Sequence, residues 1–188
     1  MNRVLRFAFP TLVAVSLLMV SGSVAGQAQE ATPAADCPAT TTEENEAIAR
    51  RWYDELWNPR DAAAIDALVS PDHVHHWAIG PDSEGAAAFA ERAQATWSAF
   101  PAHYTVEQAV AEGDLVALRW IGQGAHEGEF GGIAATGKPV TLEGINIFRI
   151  ECGKIVEVWS EMDGIGLRQQ LGATDVPATA ATPAAEMA

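Results

Sequence analysis

Residues 144–172 read GINIFRIECGKIVEVWSEMDGIGLRQQLG. Apolar and polar residues alternate over Ile145 to Ile150 and again over Ile155 to Trp159. This is the two-residue period of paired strands. Glu151-Cys152-Gly153-Lys154 lies between them and reads as the turn. The period breaks at Ser160-Glu161-Met162-Asp163-Gly164. A short helical run, Ile165 to Leu171, then stops at Gly172, a normal place for a C′ glycine. Asp163 thus falls where a strand gives way to a helix, among Trp159, Met162, Ile165 and Leu167. A carboxylate there is either a helix cap or a desolvated base.

Upstream of this stretch the same two-residue period continues. Tyr104 to Glu112, Leu115 to His126 and Pro139 to Ile150 read as strands, with Gly113-Asp114 as a hairpin turn and Glu127 to Lys138 as a glycine-rich loop. The first half of the chain is helical instead. Thr41 and Glu44 stand at capping-box spacing, and Ile48, Trp52 and Leu56 recur every four residues up to Asn58-Pro59. Asp61 opens a shorter helix. His73 to Ile79 reads as a strand, and Ser83 as the cap of a third helix running to Phe100. Helices followed by an antiparallel meander give an α+β fold, with helices on one face of a curved antiparallel sheet that encloses a pocket.

The composition restricts the function. The 188-residue chain carries a net charge of −14. Nucleic acids and anionic lipids both reward basic patches, so neither is an expected partner. Arg3 and Arg6 precede an apolar run from Phe7 to Val20 and a small-residue stretch from Ser21 to Ala28. That reads as a secretory leader, residues 1–26, with cleavage near Gly26 or Ala28, the alternative being an uncleaved anchor; either way the protein is expected outside the cytoplasm. Residues 27–42 and 173–188, rich in Ala, Thr and Pro, read as a disordered linker and tail, leaving residues 43–172 as the folded domain. Two cysteines in an exported chain, Cys37 and Cys152, are either a disulfide or two free thiols.

The order and spacing of several phrases resemble the SnoaL-like polyketide cyclases, also called ester cyclases, of the nuclear transport factor 2-like superfamily. The phrases are Ser70-Pro71-Asp72 with the histidines after it, Phe100-Pro101, and Glu112-Gly113-Asp114-Leu115-Val116-Ala117. They continue with Gly124-Ala125-His126-Glu127-Gly128, Thr136-Gly137-Lys138, and Phe148-Arg149 through Gly153-Lys154-Ile155-Val156-Glu157 to Trp159, Asp163 and Gln170-Leu171-Gly172. The resemblance implies a cone-like α+β barrel, an aspartate general base at Asp163, and pocket histidines at His126 and His76. Ala125 stands where the family usually has Thr, and Ala134 and Ala135 stand where it usually has Pro at one or both positions.

These residues suit one kind of chemistry. Ring closure by aldol addition begins with loss of a proton beside a carbonyl, and a base of raised pKa does this best near neutral pH. His126 is either a donor to the enolate oxygen or a polar residue at a strand end. In His73-Val74-His75-His76, strand alternation separates His76 from His73 and His75. The reading places His76 in the pocket and the other two at the surface. Two imidazoles are too few for a metal site, so no metal and no cofactor is expected. Gly132 to Lys138 approaches a phosphate-binding loop, but Pro139 replaces the magnesium-binding hydroxyl and a strand follows. Trp52, Trp97 and Trp120 read as core, whereas Trp77, Trp159 and Met162 lie near the proposed site. The expected partner is a small hydrophobic molecule, turned over by a cofactor-free cyclase or isomerase. The alternatives are a non-catalytic binding protein and a structural homodimer with a filled pocket.

Overall fold

The structure, a computed structural model, describes Cys37 and residues 39–173. The expected leader, and all of the expected tail but Ala173, lie outside the described residues; of the expected linker, Cys37 and residues 39–42 are described, and Thr42 already belongs to the first helix. The chain runs α1 (Thr42–Arg51), a π-helical turn (Trp52–Trp57), α2 (Ala63–Leu68), β1 (Val69–His76), β2 (Ser83–Glu84) and α3 (Ala86–Ala99). It continues through β3 (His103–Glu112), β4 (Leu115–Ala125), β5 (Pro139–Glu151), β6 (Lys154–Met162) and α4 (Gly164–Leu171). The six strands form one curved, unclosed sheet in the order β2-β1-β6-β5-β4-β3. Strands β3 to β6 are the antiparallel meander that the alternation predicts. Strand β1 adds to β6 in parallel, so the whole sheet is mixed. Register shifts in the β1–β6, β3–β4 and β5–β6 pairs bend the strands.

The capping box forms as spaced. Thr41 Oγ1 accepts from the Glu44 N–H at 3.2 Å, and the Thr41 N–H donates to Glu44 Oε2 at 2.8 Å. Helix α1 then loosens into the π turn, where Asn58 N–H bonds to Tyr53 C=O, five residues back. An i→i+5 turn is wider than an α turn and brings residues five apart toward one side. Trp52 and Trp57 are consequently both buried, as are Tyr53 and Leu56. Asn58 fastens the end of the turn to the sheet: its side chain donates to the Tyr104 carbonyl at 3.0 Å and accepts from the Tyr104 N–H at 2.7 Å.

Two boundaries differ from the sequence reading. Strand β1 starts at Val69 and stops at His76, because Val69 already pairs with Ile155. Ser83 is not a helix cap. It sits in β2 opposite His75, and its buried hydroxyl accepts from Trp77 Nε1 at 2.8 Å. Helix α3 starts two residues later, after Gly85.

The helices cover the concave face of the sheet. Trp52, fully buried, stacks on Phe89 of α3 at 4.9 Å and meets Phe148 of β5 edge-on at 5.5 Å. His73 and His75 point into this layer and are almost wholly buried. The sequence reading put them at the surface and His76 inside. The alternation was right, but its sign was not, because β1 lies under α3 and His73 and His75 face the helices. Burial pushes His73 down to about 4 and His75 well below its ordinary value.

Cys37 and Cys152 are joined by a disulfide with Cα atoms 5.4 Å apart. Cys152 and Gly153 form the two-residue β5–β6 turn, and both have positive φ, 54° and 71°, as a type I′ hairpin requires.

Two outcomes are expected. Unfolded without reductant, the chain should show no free thiol, and Cys37→Ser/Cys152→Ser should lower stability by about 4 kcal/mol in the chain-entropy model. Two titratable thiols and an unchanged unfolding midpoint would contradict the bridge. The second concerns pH. A histidine with a depressed folded-state pKa binds fewer protons folded than unfolded. Stability is therefore full above about pH 6.5, its ordinary value, and falls as pH drops toward about 4. Chemical denaturation between pH 7 and 4 should show this loss, and His73→Leu should blunt it. Parallel pH curves for the two proteins would refute the assignment.

Candidate functional site

Between the helical layer and the sheet lies a cavity of about 90 Å³. Its floor is aromatic: Trp52, Tyr53, Trp57, Tyr104 and Trp120, all buried. Its rim is half-buried and built from Trp77, Ile79, Arg92, Phe130 and Met162. Two inward-facing glycines make the room. A Cβ on Gly122 would lie 2.8 Å from the Tyr104 ring, and one on Gly144 would strike the Trp120 ring and the Glu161 carbonyl. Arg92 lies over the Trp77 ring, 5.0 Å from its centroid, and donates to the Ile79 carbonyl. For scale, a 150 Å³ apolar cavity is known to admit benzene. This cavity is smaller, so even a one-ring ligand must part the rim.

One row of polar groups crosses this apolar wall. His75 on β1, Ser160 on β6 and Asn146 on β5 all line the cavity. His75 Nε2 is 2.8 Å from Ser160 Oγ. Asn146 pairs directly with Ser160 across β5 and β6, and its Oδ1 accepts from Trp120 Nε1 at 2.8 Å. His75 stacks on Trp77 at 3.9 Å, and burial keeps its ring neutral near pH 7. Burial likewise pushes the Tyr53 and Tyr104 phenols up, so neither ionises near neutral pH. The lining includes no carboxylate.

Asp163 is not desolvated. It is exposed, and its Oδ1 accepts from the Gly166 N–H at 2.8 Å, capping α4. It faces an open groove with Arg119, Glu143 and Glu161 rather than the cavity. Of the two alternatives, cap and desolvated base, the structure shows the cap: Met162 and Leu167 line the cavity and Asp163 between them does not. Asp163 still adjoins the rim, because Met162 precedes it and Gly164 closes on Ile79, where a Cβ would stand 3.0 Å from Ile79 Cδ1.

His126 is buried and stacks on Phe100 at 5.1 Å. Phe100 is a wall residue, whereas His126 does not itself line the cavity. The Thr136 N–H donates to its Nδ1 at 3.3 Å, and its Nε2 has no partner among the described residues. His76 lies on the opposite, outer face of the sheet. Its two ring nitrogens meet Glu157 at 2.9 Å and Asp82 at 2.8 Å, and the Glu157 carboxylate first, then Asp82, holds it above its ordinary value. Trp159 is on that outer face too, stacked on His76 at 5.5 Å with Arg149 lying over it at 5.2 Å. The structure thus places Trp77 and Met162 at the cavity and His76 and Trp159 away from it. Sequence reasoning missed Ser160 and Asn146. The signal was present: each is a polar residue at the inward parity of a strand whose other inward positions are apolar. Among the described residues, no three His, Cys, Asp or Glu side chains converge as a metal site would need.

Comparison with known proteins agrees with this architecture. No curated protein sequence matches the chain. A structure from Jannaschia sp. CCS1, assigned to the SnoaL-like polyketide cyclases, is 20% identical, with a TM-score of 0.68 over 75% of this chain and 100% of that one. IdmH of Streptomyces antibioticus, assigned as a polyketide cyclase, is 30% identical, with a TM-score of 0.60 over 69% of this chain and 99% of its own. AclR of Streptomyces galilaeus, assigned as a hydroxylase, is 31% identical, with a TM-score of 0.63 over 73% of this chain and 87% of its own. The family model for SnoaL-like polyketide cyclases matches residues 47–171. That match takes in every element from the middle of α1 to the last residue of α4, and the chain belongs to the SnoaL-like polyketide cyclase family.

Proposed function

We propose that this chain is an exported, cofactor-free cyclase or isomerase acting on a small hydrophobic carbonyl compound. The observation that carries the proposal is the cavity: aromatic walls that favour an apolar ring, crossed by one short polar row. Family membership and the likeness to IdmH support cyclase-type chemistry. In this reading the apolar body of the substrate occupies the cavity, and its reactive carbon lies at the rim between Met162 and Ile79. Asp163 takes the proton there. One of its oxygens holds the Gly166 N–H and the other is available. The leader sequence, residues 1–26, supports export.

A second reading is favoured by one specific observation. Asp163 is exposed and already serves as the α4 cap, and the cavity wall holds no carboxylate. A protein that binds its ligand without turning it over would look the same.

Thermal-shift screening of the purified protein against small aromatic ketones finds the ligand class, because a compound that binds only the native state raises its stability. With a substrate found this way, Asp163→Asn should lower turnover by roughly 10²–10⁴-fold and leave stability nearly unchanged, since Asn caps as well as Asp. Asp163→Ala should in addition cost about 1 kcal/mol of stability. Full turnover by Asp163→Asn would eliminate the rim base, and stabilisation by ligand without any turnover would favour the binding protein. For export, mass spectrometry of extracytoplasmic material should find a chain beginning near Gly26 or Ala28. A mature chain beginning at Met1 would contradict cleavage.

A further inference from the structure

The polar row has a property that the family resemblance does not supply. Asn146 is 5% exposed, and its orientation is fixed by chemistry, because Trp120 Nε1 can only donate and so must face the amide oxygen. The Nδ2 group then has no acceptor among the described residues. It is a two-proton donor on a cavity wall.

Ser160 is oriented in the same way, through His75. His75 is neutral, so its ring carries one N–H. Its Nδ1 is buried and unpartnered, whereas its Nε2 meets Ser160 Oγ at 2.8 Å. A buried orphan N–H is rarer in proteins than an under-used acceptor, so the proton sits on Nε2 and donates to Ser160 Oγ. The Ser160 hydroxyl proton must then find its acceptor elsewhere, and the open direction is the cavity. Because Asn146 and Ser160 are cross-strand partners with side chains on one face, their donors stand side by side.

We propose that Ser160 Oγ–H and Asn146 Nδ2–H together form a receptor for one carbonyl or enolate oxygen of the ligand, with His75 as the positioning residue that sets the Ser160 hydroxyl. Two donors converging on one oxygen in an apolar cavity stabilise charge as it develops there. The same pair would orient a ketone that is only bound. The inference rests on the reading that the cavity takes a hydrophobic carbonyl compound, but it does not depend on Asp163.

The test uses acetophenone labelled with ¹³C at the carbonyl. Isotope-edited infrared difference spectra of the mixture with the full chain should show the bound C=O stretch at lower wavenumber than in an apolar solvent. Ser160→Ala should lose part of that displacement. Asn146→Leu, which removes the donors, should lose part of it as well. Far-UV circular dichroism and the melting temperature of each variant confirm that it is folded. Bound acetophenone with an undisplaced band would overturn the receptor and leave the binding reading standing. A displacement that survives both substitutions would also overturn it and point to Arg92. No binding at all, seen as no band distinct from free acetophenone, would overturn both. The positioning role has its own readout without ligand: ¹⁵N NMR should find His75 as the Nε2–H tautomer, and the Nδ1–H tautomer would refute it.

Discussion

The structure depends on covering one concave sheet face with helices that meet over it at a single aromatic residue. Trp52 is at the centre of that contact. Its ring lies within 6.2 Å, centroid to centroid, of Trp57, His73, His75, Phe89 and Phe148, which come from the π turn, β1, α3 and β5. A regular α-helix would send residues five apart in different directions. The π turn sends both Trp52 and Trp57 inward, which gives the helix enough apolar width to meet a curved sheet. Burying that many rings removes a large apolar area from water. It also traps two histidines in the same layer, where they stay neutral. The cavity is what remains where flat rings meet a bent surface and two glycines hold the strand wall back.

Much of this was legible in residues. The period-two runs from Tyr104 onward located β3 to β6, because one face of each is buried and the other is wet. Thr41 and Glu44 gave the start of α1, since a capping box is decided within four residues. What sequence could not give was the sign of an alternation. In His73-Val74-His75-His76 both parities carry imidazole, and only the placement of β1 beside β6 and beneath α3 decides which one is inside. The direction of Asp163 was left open for a related reason. Its neighbours in sequence are apolar, but at a strand-to-helix junction the direction of a side chain is set by the cap it makes. Ser160 and Asn146 each break an apolar inward parity, a signal legible within one strand, but their pairing depends on a register that no local pattern states.

In the proposed function, binding and proton abstraction fall at separate places. The cavity offers aromatic walls and one polar row, and no carboxylate of its own. The carboxylate that the family resemblance points to stands at the rim, tied to the backbone of α4. An arrangement of this kind suits a substrate whose apolar part is held deep and whose reactive carbon stays near the edge. The His76–Glu157–Asp82 cluster and Trp159, on the far side of the sheet, take no part in it.

The central claim is that the cavity, and not the outer sheet face, is where a hydrophobic carbonyl compound binds. Intermolecular NOE spectra of the protein mixed with acetophenone test this most directly. The account predicts cross-peaks from the ligand ring to the Met162 methyl group and to the indole protons of Trp77 and Trp120. Cross-peaks to Trp159 and Ile147 of the outer face instead, or none at all, would contradict it.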